Sequence, residues 1–533
     1  MDTGSLNYRW SQTLIAGLVA AGVRHAVLSP GSRSTPLTLA ALRQSGLKTQ
    51  MVVDERSAAF FALGIAKATR QPVIVVATSG SAPANWHPAV IEASQAGHPL
   101  LLLSADRPPE LHGVGANQTI EQTSLFGKHV RVSHALGTPD EHFDPAYLQR
   151  LAARVVEQAT WPLPGPVHLN LPFREPLVPV EALPSPIFPP VRIAQPHQQP
   201  DLATLRDWLT SIAGRPGAIV CGEMPQQPEF AESLNRLARH LACPILAEPL
   251  SNLRFGQEAA ERLCVRYNSW LNDVDFAKAH SPQWVLRFGA YPVTRNLQAY
   301  VARAEIQMLV EATPRWSDPG HRLTHIMRAD PLAVCQALLQ LPFDAANEAW
   351  TQEVLQRDAE ETASAPWPAT ALLNELPANT SLFIGNSLLI RQLDSHSGKG
   401  SKPLRLFGNR GASGIDGNVS TALGIAAANG CIVALLGDLT TQHDLGGLAL
   451  AQGMNAVIVV FNNGGGGIFD HLPQAALPEF KLGWRTPQQI DFAAAAQTFG
   501  LGYARAVDGA GLIAALRPAL DAGGPHLIEF RCA

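Results

Sequence analysis

The chain of 533 residues is short of charge, aromatics and cysteine, and each shortage excludes something. Charged residues make up 16% and the net charge is −4, so no basic field exists to hold a nucleic-acid backbone. The six cysteines are scattered without a C-x-x-C pair, which fits reduced, mostly buried thiols of a cytoplasmic protein rather than a disulfide scaffold. The longest apolar stretch near the start, LIAGLVAAGV, is far short of the roughly 20 residues a membrane span needs. It is read as an amphipathic helix, because HAVLSPGSR follows at once as strand and loop. None of the seventeen histidines falls in H-x-x-x-H or a Cys/His cluster, which argues against zinc. No G-x-G-x-x-G follows the first strand of any block, which argues against a dinucleotide-binding oxidoreductase or nucleotide-binding module.

Short, wholly apolar strands alternate with helical patterns along the chain, the signature of parallel sheets covered on both faces. The pattern predicts an α/β protein with three doubly wound parallel-sheet domains. Strands are predicted at HAVLSP, MVVD, PVIVVATS, PLLLLSAD and VHLNLP, then at GAIVCGE, PILAEP, WVLRFGA and EIQMLVEA. The last group is SLFIGNS, LRLFGNRG, IVALLGD, AVIVVFNN and HLIEFRC. The boundaries read as 1–180, a proline-rich linker at 181–200, 201–345 and 346–533. The first and last blocks resemble each other in plan more than either resembles the middle one.

The run Val457–Phe461 ends on Asn462, Asn463 and four consecutive glycines. Asn463-Gly464 alone suggests a hairpin turn, but no alternating partner strand follows. Upstream, IVALLGD also ends a buried strand, so Asp438 and the two asparagines fall at one edge of a parallel sheet. A carboxylate, an amide oxygen and a freed glycine carbonyl suit Mg²⁺, which takes few protein ligands together with phosphate oxygens. The segment after Asp438, LTTQHDLGGLALA, is expected to open a helix whose first amides meet the same phosphates; alternatively Asp438 merely caps that helix.

Gly437-Asp438, then twenty-three residues, then Asn462-Asn463, resembles the signature of thiamine diphosphate-dependent enzymes. Leu439 stands where that signature has a third glycine, and the spacer is slightly short. The resemblance implies thiamine diphosphate with Mg²⁺ or Mn²⁺, metal ligands Asp438, Asn463 and the Gly465 carbonyl, and cofactor contacts at Gly437, Leu439 and Thr440. It also implies that Glu55, in VDERSAA, is the carboxylate at N1′ of the cofactor's aminopyrimidine. By its position alone Glu55 reads as an ordinary first-turn helix acid.

The stretches SPGSRSTPL, DERSAAFFALGIAKA, ATSGSAPANWHPAVIEA, SADRPPELHGVGANQTI and GNRGASGIDGNVSTALG together are similar to one family among these enzymes, the menaquinone-pathway synthases. These decarboxylate 2-oxoglutarate and add the succinyl unit to isochorismate. The resemblance implies that Ser32, Arg33, Arg107, Gln118, Ser387, Arg391 and Arg410 contact substrate. It places Ile415 beneath the bent cofactor, with Ile468, Phe469 and Leu472 walling the pocket. Arg295 stands where the family has lysine. It further implies a homodimer or homotetramer with each site built across an interface. Both substrates are dicarboxylates, and guanidinium groups meet carboxylates best. The arginines therefore argue against the alternative of an acetolactate-synthase-like enzyme or another 2-oxo acid decarboxylase. His443 and His471 read as polar residues at a pocket rim.

Overall fold

The computed structural model describes residues 1–181, 184, 189, 191–225, 229–256, 260–346, 348–361 and 367–532. Much of the proline-rich stretch, residues 182–183, 185–188 and 190, lies outside the described residues; the described remainder of 181–200 contains no helix or strand.

Eighteen strands form three sheets of six among the described residues. The first sheet contains β1 (His25–Leu28), β2 (Lys48–Met51), β3 (Val73–Ala77), β4 (Leu100–Asp106), β5 (Ser133–Ala135) and β6 (Val167–Pro172). Its order is β2-β1-β3-β4-β6-β5. The second contains β7 (Gly217–Cys221), β8 (Ile245–Ala247), β9 (Leu263–Cys264), β10 (Trp284–Phe288), β11 (Ile306–Val310) and β12 (His325–Met327), in the order β12-β11-β10-β7-β8-β9. The third contains β13 (Ser381–Ile384), β14 (Arg405–Gly408), β15 (Ile432–Gly437), β16 (Ala456–Asn462), β17 (Gly502–Ala506) and β18 (Pro525–Arg531), in the order β14-β13-β15-β16-β18-β17. Counted from their own first strands, the first and third sheets share one order, while the middle sheet has the order typical of dinucleotide-binding folds.

β16 runs parallel to both β15 and β18. No hairpin therefore forms at Asn463-Gly464, and both β15 and β16 deliver their C-terminal ends to the same edge. Two expectations need correction. MVVD is not the second strand: β2 lies upstream, ending at Met51, while Val53 is 82% exposed. The helix after β15 stops at His443, and Leu445–Ala451 continues as a 3₁₀ turn.

The chain divides into two compact units: Met1–Gln195 with Asn409–Arg505 and Pro518–Ala533, and Pro196–Gly408 with Ala506–Arg517. Within the former, the helices Glu55–Thr69 and Asn418–Asn429 cross at a glycine pair. A Cβ on Gly64 would lie 2.0 Å from the Thr421 carbonyl, and one on Gly424 would lie 2.0 Å from the Phe61 carbonyl. Only glycine permits that approach. In the latter unit, Trp208, Trp284, Leu237 and Leu286 are among the buried residues of the middle sheet's core. All six cysteines are free thiols, four of them buried. No helix among the described residues is long and apolar enough to cross a membrane.

Candidate active site

In an open parallel sheet, the loops at the C-terminal strand ends are where functional side chains collect. Arg33 follows β1 and is buried; its Nη1 donates to the Phe173 carbonyl (2.9 Å) and its Nη2 to Glu175 Oε1 (2.8 Å). Its Nε is buried without a partner. Ser32 beside it is exposed, and its carbonyl accepts from the Thr35 hydroxyl (2.7 Å).

Arg107 follows β4. Its Nη1 donates to Ser79 Oγ, and its backbone N–H donates to Asp106 Oδ1 (2.7 Å). Burial lowers the Arg107 pKa, and the neighbouring positive charge of Arg33 lowers it further. Gln118 adopts a left-handed backbone (φ 55°) and bonds Ser79 twice. Its Nε2 donates to the Ser79 carbonyl, and Ser79 Oγ donates to the Gln118 carbonyl, both at 2.9 Å. Ser79 thus joins Arg107 to Gln118, a link that no local sequence pattern reveals.

Beneath these loops lies a buried polar network. Gln122 Oε1 accepts from the Gly80 N–H (2.8 Å), while its Nε2 donates to Asn170 Oδ1 (2.9 Å). Asn170 Nδ2 in turn donates to Asp106 Oδ2 (2.7 Å). Burial raises the Asp106 pKa, against the hydrogen bond from Asn170.

Glu55 is the half-buried first residue of the helix Glu55–Thr69. That helix is capped by Asp54, whose Oδ1 accepts from the N–H groups of Arg56 (2.8 Å) and Ser57 (3.2 Å). The Glu55 carboxylate is therefore not consumed by capping.

In the third sheet, Asp438 follows β15 directly and is 5% exposed. Its Oδ2 accepts from the Gly465 N–H at 2.7 Å. Burial raises its pKa, opposed by backbone donors and by the charge of Arg485. Asn462 does not face the same way: its Nδ2 donates to Glu529 Oε1 (2.7 Å) and its Oδ1 accepts from the Gly464 N–H (3.1 Å). Asn463 Oδ1, by contrast, is buried with no hydrogen-bond partner.

The glycine run now has a local reason. Gly464 and Gly465 have φ of 73° and 131°, and a Cβ on Gly467 would lie 2.5 Å from Asn463 Nδ2. A Cβ on Gly465 or Gly466 would strike the carbonyl of Arg485 (2.3 Å) or Trp484 (2.4 Å). Arg485 also donates from Nη2 to the Asn463 carbonyl (2.6 Å), another contact the sequence alone does not disclose. A buried, unpartnered amide oxygen beside a buried carboxylate fits a hard divalent cation, which prefers oxygen ligands. Among the described residues no cluster of three His, Cys, Asp or Glu side chains forms a metal site.

Gly437 ends β15, Leu439 is half-buried and Thr440 is buried. Ile468 and Phe469 lie in the 3₁₀ turn Gly467–His471, half-buried like Leu472, which follows it. His443 and His471 are exposed. Arg410 and Ile415 are half-buried in the loop between β14 and the helix Asn418–Asn429.

Three expected site residues belong to the other unit. Arg295 opens the helix Arg295–Val301 and is exposed. Ser387 (φ 69°) precedes the helix Leu388–His396, and Arg391 Nη1 donates to its carbonyl (2.6 Å). That helix is anchored by the buried Asp394, which accepts from Arg254, the Tyr267 hydroxyl and Asn268 Nδ2.

Residues 9–125 match the thiamine pyrophosphate enzyme N-terminal TPP binding domain, and residues 395–530 match the corresponding C-terminal TPP binding domain. A 2-succinyl-5-enolpyruvyl-6-hydroxy-3-cyclohexene-1-carboxylate synthase of Dechloromonas aromatica is 58% identical over 533 residues, covering 99% of each chain. The chain belongs to this synthase family. A synthase of the same name from Geobacillus kaustophilus is 40% identical over 549 residues, covering 98% of this chain and 94% of its own. The benzoylformate decarboxylase of Polynucleobacter necessarius shares the fold, with a TM-score of 0.74, 18% identity and 98% coverage of both chains. As a member of the synthase family the chain is a thiamine diphosphate-dependent transferase of menaquinone biosynthesis.

Proposed function

We propose that the site decarboxylates 2-oxoglutarate and joins the succinyl unit to isochorismate by conjugate addition, giving 2-succinyl-5-enolpyruvyl-6-hydroxy-3-cyclohexene-1-carboxylate and carbon dioxide. The observation that carries this reading is the unpartnered Asn463 Oδ1 beside the buried Asp438 carboxylate at the ends of two adjacent parallel strands. Asp438, Asn463 and the Gly465 carbonyl hold Mg²⁺ or Mn²⁺, and Gly437, Leu439 and Thr440 line the diphosphate. Thiamine diphosphate, when bound, supplies the electron sink that loss of carbon dioxide from a 2-oxo acid requires.

The chain's own groups bind, orient and neutralise. Glu55 holds a proton at N1′ of the aminopyrimidine. Ile415 packs beneath the cofactor; Ile468, Phe469 and Leu472 exclude water from its reacting face. Arg33, Arg107 and Arg410, with Arg295 and Arg391, meet the carboxylates of the two substrates, and Ser32, Gln118 and Ser387 supply neutral hydrogen bonds. Arg33 approaches a substrate with two of its donors already committed to Phe173 and Glu175, so its role is chiefly that of a fixed charge.

The functional domains run 1–180, 201–345 and 346–533 with the linker 181–200 between the first two. The active form is a cytoplasmic homodimer or homotetramer in which Glu55 of one chain and Asp438 of another serve one cofactor. The free cysteines support the compartment, and the acidic net charge disfavours nucleic acid as a partner.

The middle sheet's strand order raises a rival, a dinucleotide site between β7 and β10. No G-x-G-x-x-G follows β7, and main chain meets main chain at those strand ends: the Gly222 N–H donates to the Phe288 carbonyl (2.9 Å), and a Cβ on Gly222 would lie 2.2 Å from the Ala290 carbonyl. Carbon dioxide release from 2-oxoglutarate, measured with and without thiamine diphosphate, tests the reading. Release only with the cofactor supports it, and no release under either condition contradicts it.

A further inference from the structure

Glu92 lies on the helix His87–Ala96 and is only 3% exposed. No lysine or arginine pairs with it among the described residues. Its carboxylate instead accepts three successive main-chain N–H groups. Oε1 takes Gly411 (2.8 Å); Oε2 takes Ala412 (2.6 Å) and Ser413 (3.3 Å). Consecutive N–H groups converging on one anion form a nest, and charge-assisted bonds of this kind offset the cost of burying a carboxylate. The approach is close: a Cβ on Gly411 would lie 2.5 Å from the Glu92 carbonyl.

The loop's ends are fixed independently of Glu92. Asn409 Nδ2 donates to Thr421 Oγ1 (3.0 Å), and Asn418 Nδ2 donates to the carbonyls of Gly414 (3.2 Å) and Asp416 (3.0 Å). The carboxylate takes the middle. The Gly411 N–H belongs to the peptide plane that follows Arg410, so the bond to Glu92 sets the direction in which Arg410 leaves the backbone. Ser413, held by the same carboxylate, adopts φ 62° two residues before Ile415.

We propose that Glu92 is a positioning residue, clamping the loop so that Arg410 and Ile415 present their side chains to substrate and cofactor. This rests on the reading that those two residues face the site. Glu92 touches neither substrate nor cofactor. Its action passes through three backbone amides, delivered from the helix His87–Ala96.

The test compares Glu92→Gln, which turns one acceptor into a donor facing an N–H, with Glu92→Asp, which keeps the charge but draws the oxygens back by one methylene. Hydrogen exchange of the cofactor-free protein reads the clamp itself: amides 411–413 exchange faster in both variants while the strand 456–462 keeps its protection. With the cofactor present, Glu92→Gln raises the KM of the substrate that Arg410 meets by roughly tenfold to a hundredfold. Adding Arg410→Ala to that background costs little more, because the two changes remove one interaction. Unaltered exchange at 411–413, or faster exchange with unchanged KM and an additive double variant, overturns the proposal. If Glu92→Gln does not fold, the same measurements on Glu92→Asp decide the matter by the same outcomes. Unchanged kinetics in Arg410→Ala alone contradicts the reading of Arg410 while leaving the clamp measurable by exchange.

Discussion

Gly465 donates its main-chain N–H to Oδ2 of Asp438 at 2.7 Å, a bond between residues twenty-seven apart that closes the glycine run over the end of β15. Two residues before the donor, Asn463 Oδ1 is buried without a hydrogen-bond partner.

Replacing Asp438 by Asn keeps the shape and removes the charge. The expected outcome is a loss of Mg²⁺-dependent thiamine diphosphate binding by a factor of ten or more, with the fold retained, since relief from burying a carboxylate offsets the lost bond. Cofactor titration followed by intrinsic fluorescence, with and without Mg²⁺, checks it. Wild-type affinity in the variant removes Asp438 from the metal site.

Glu55→Gln is expected to abolish nearly all turnover while leaving stability unchanged, because Asp54 rather than Glu55 caps the helix. Mixing adds a sharper result. Coexpressed Glu55→Gln and Asp438→Ala chains, each inactive alone, are expected to form dimers in which one site carries both lesions and the other neither. By that twofold symmetry such dimers recover up to about half the wild-type activity. Mixed dimers that form and stay inactive mean that each site is built within one chain.

Arg410→Ala or Arg391→Ala is expected to raise the KM for a dicarboxylate substrate about tenfold or more, the loss of a charge-assisted contact being worth about 1.5–3 kcal/mol. Thermal stability should move little, since both residues lie on loop or exposed helix positions. Steady-state kinetics beside a melting curve separates the two effects.

His168 supplies a pH signature. It is buried between Ser104 Oγ and Ser133 Oγ, and burial pushes its pKa down to about 4. The unfolded chain binds the proton below about pH 6.5 while the folded one does not, so this group's contribution to stability falls as pH drops from about 6.5 to 4. Asp444, raised to about 6 by burial, acts in the opposite sense over a similar window: the folded form takes up its proton first as pH falls. The wild-type curve alone therefore mixes the two. The difference between wild type and His168→Gln isolates the histidine, and urea unfolding should show it shrinking between pH 7 and pH 4.5. A pH-independent difference contradicts the assignment.

What was legible in the sequence follows from burial. Val457 to Val460 are each fully buried, and a run covered on both faces carries no polar alternation to confuse the reading. Every strand missed or misplaced, β2, β5, β9, β12 and β17, lies at a sheet edge. Edge strands are short or half-exposed and lack a continuous apolar run; Lys48–Met51 has no fully buried residue. The placement of Asp438 and Asn463 was legible because each directly follows a buried run, and that of Glu55 because it opens a largely apolar helix. Ser79, Gln122, Asn170, Arg485 and Glu92 were not. Their side-chain partners lie from 15 to 321 residues away, so no local spacing encodes them.

The central claim is tested most directly by identifying the product. Purified protein, thiamine diphosphate and Mg²⁺ are incubated with 2-oxoglutarate and isochorismate, and the mixture is analysed by mass spectrometry alongside carbon dioxide release. The account predicts one carbon dioxide released per molecule of 2-succinyl-5-enolpyruvyl-6-hydroxy-3-cyclohexene-1-carboxylate formed. Carbon dioxide release with isochorismate left unconsumed would contradict it and mark the chain as a simple 2-oxo acid decarboxylase.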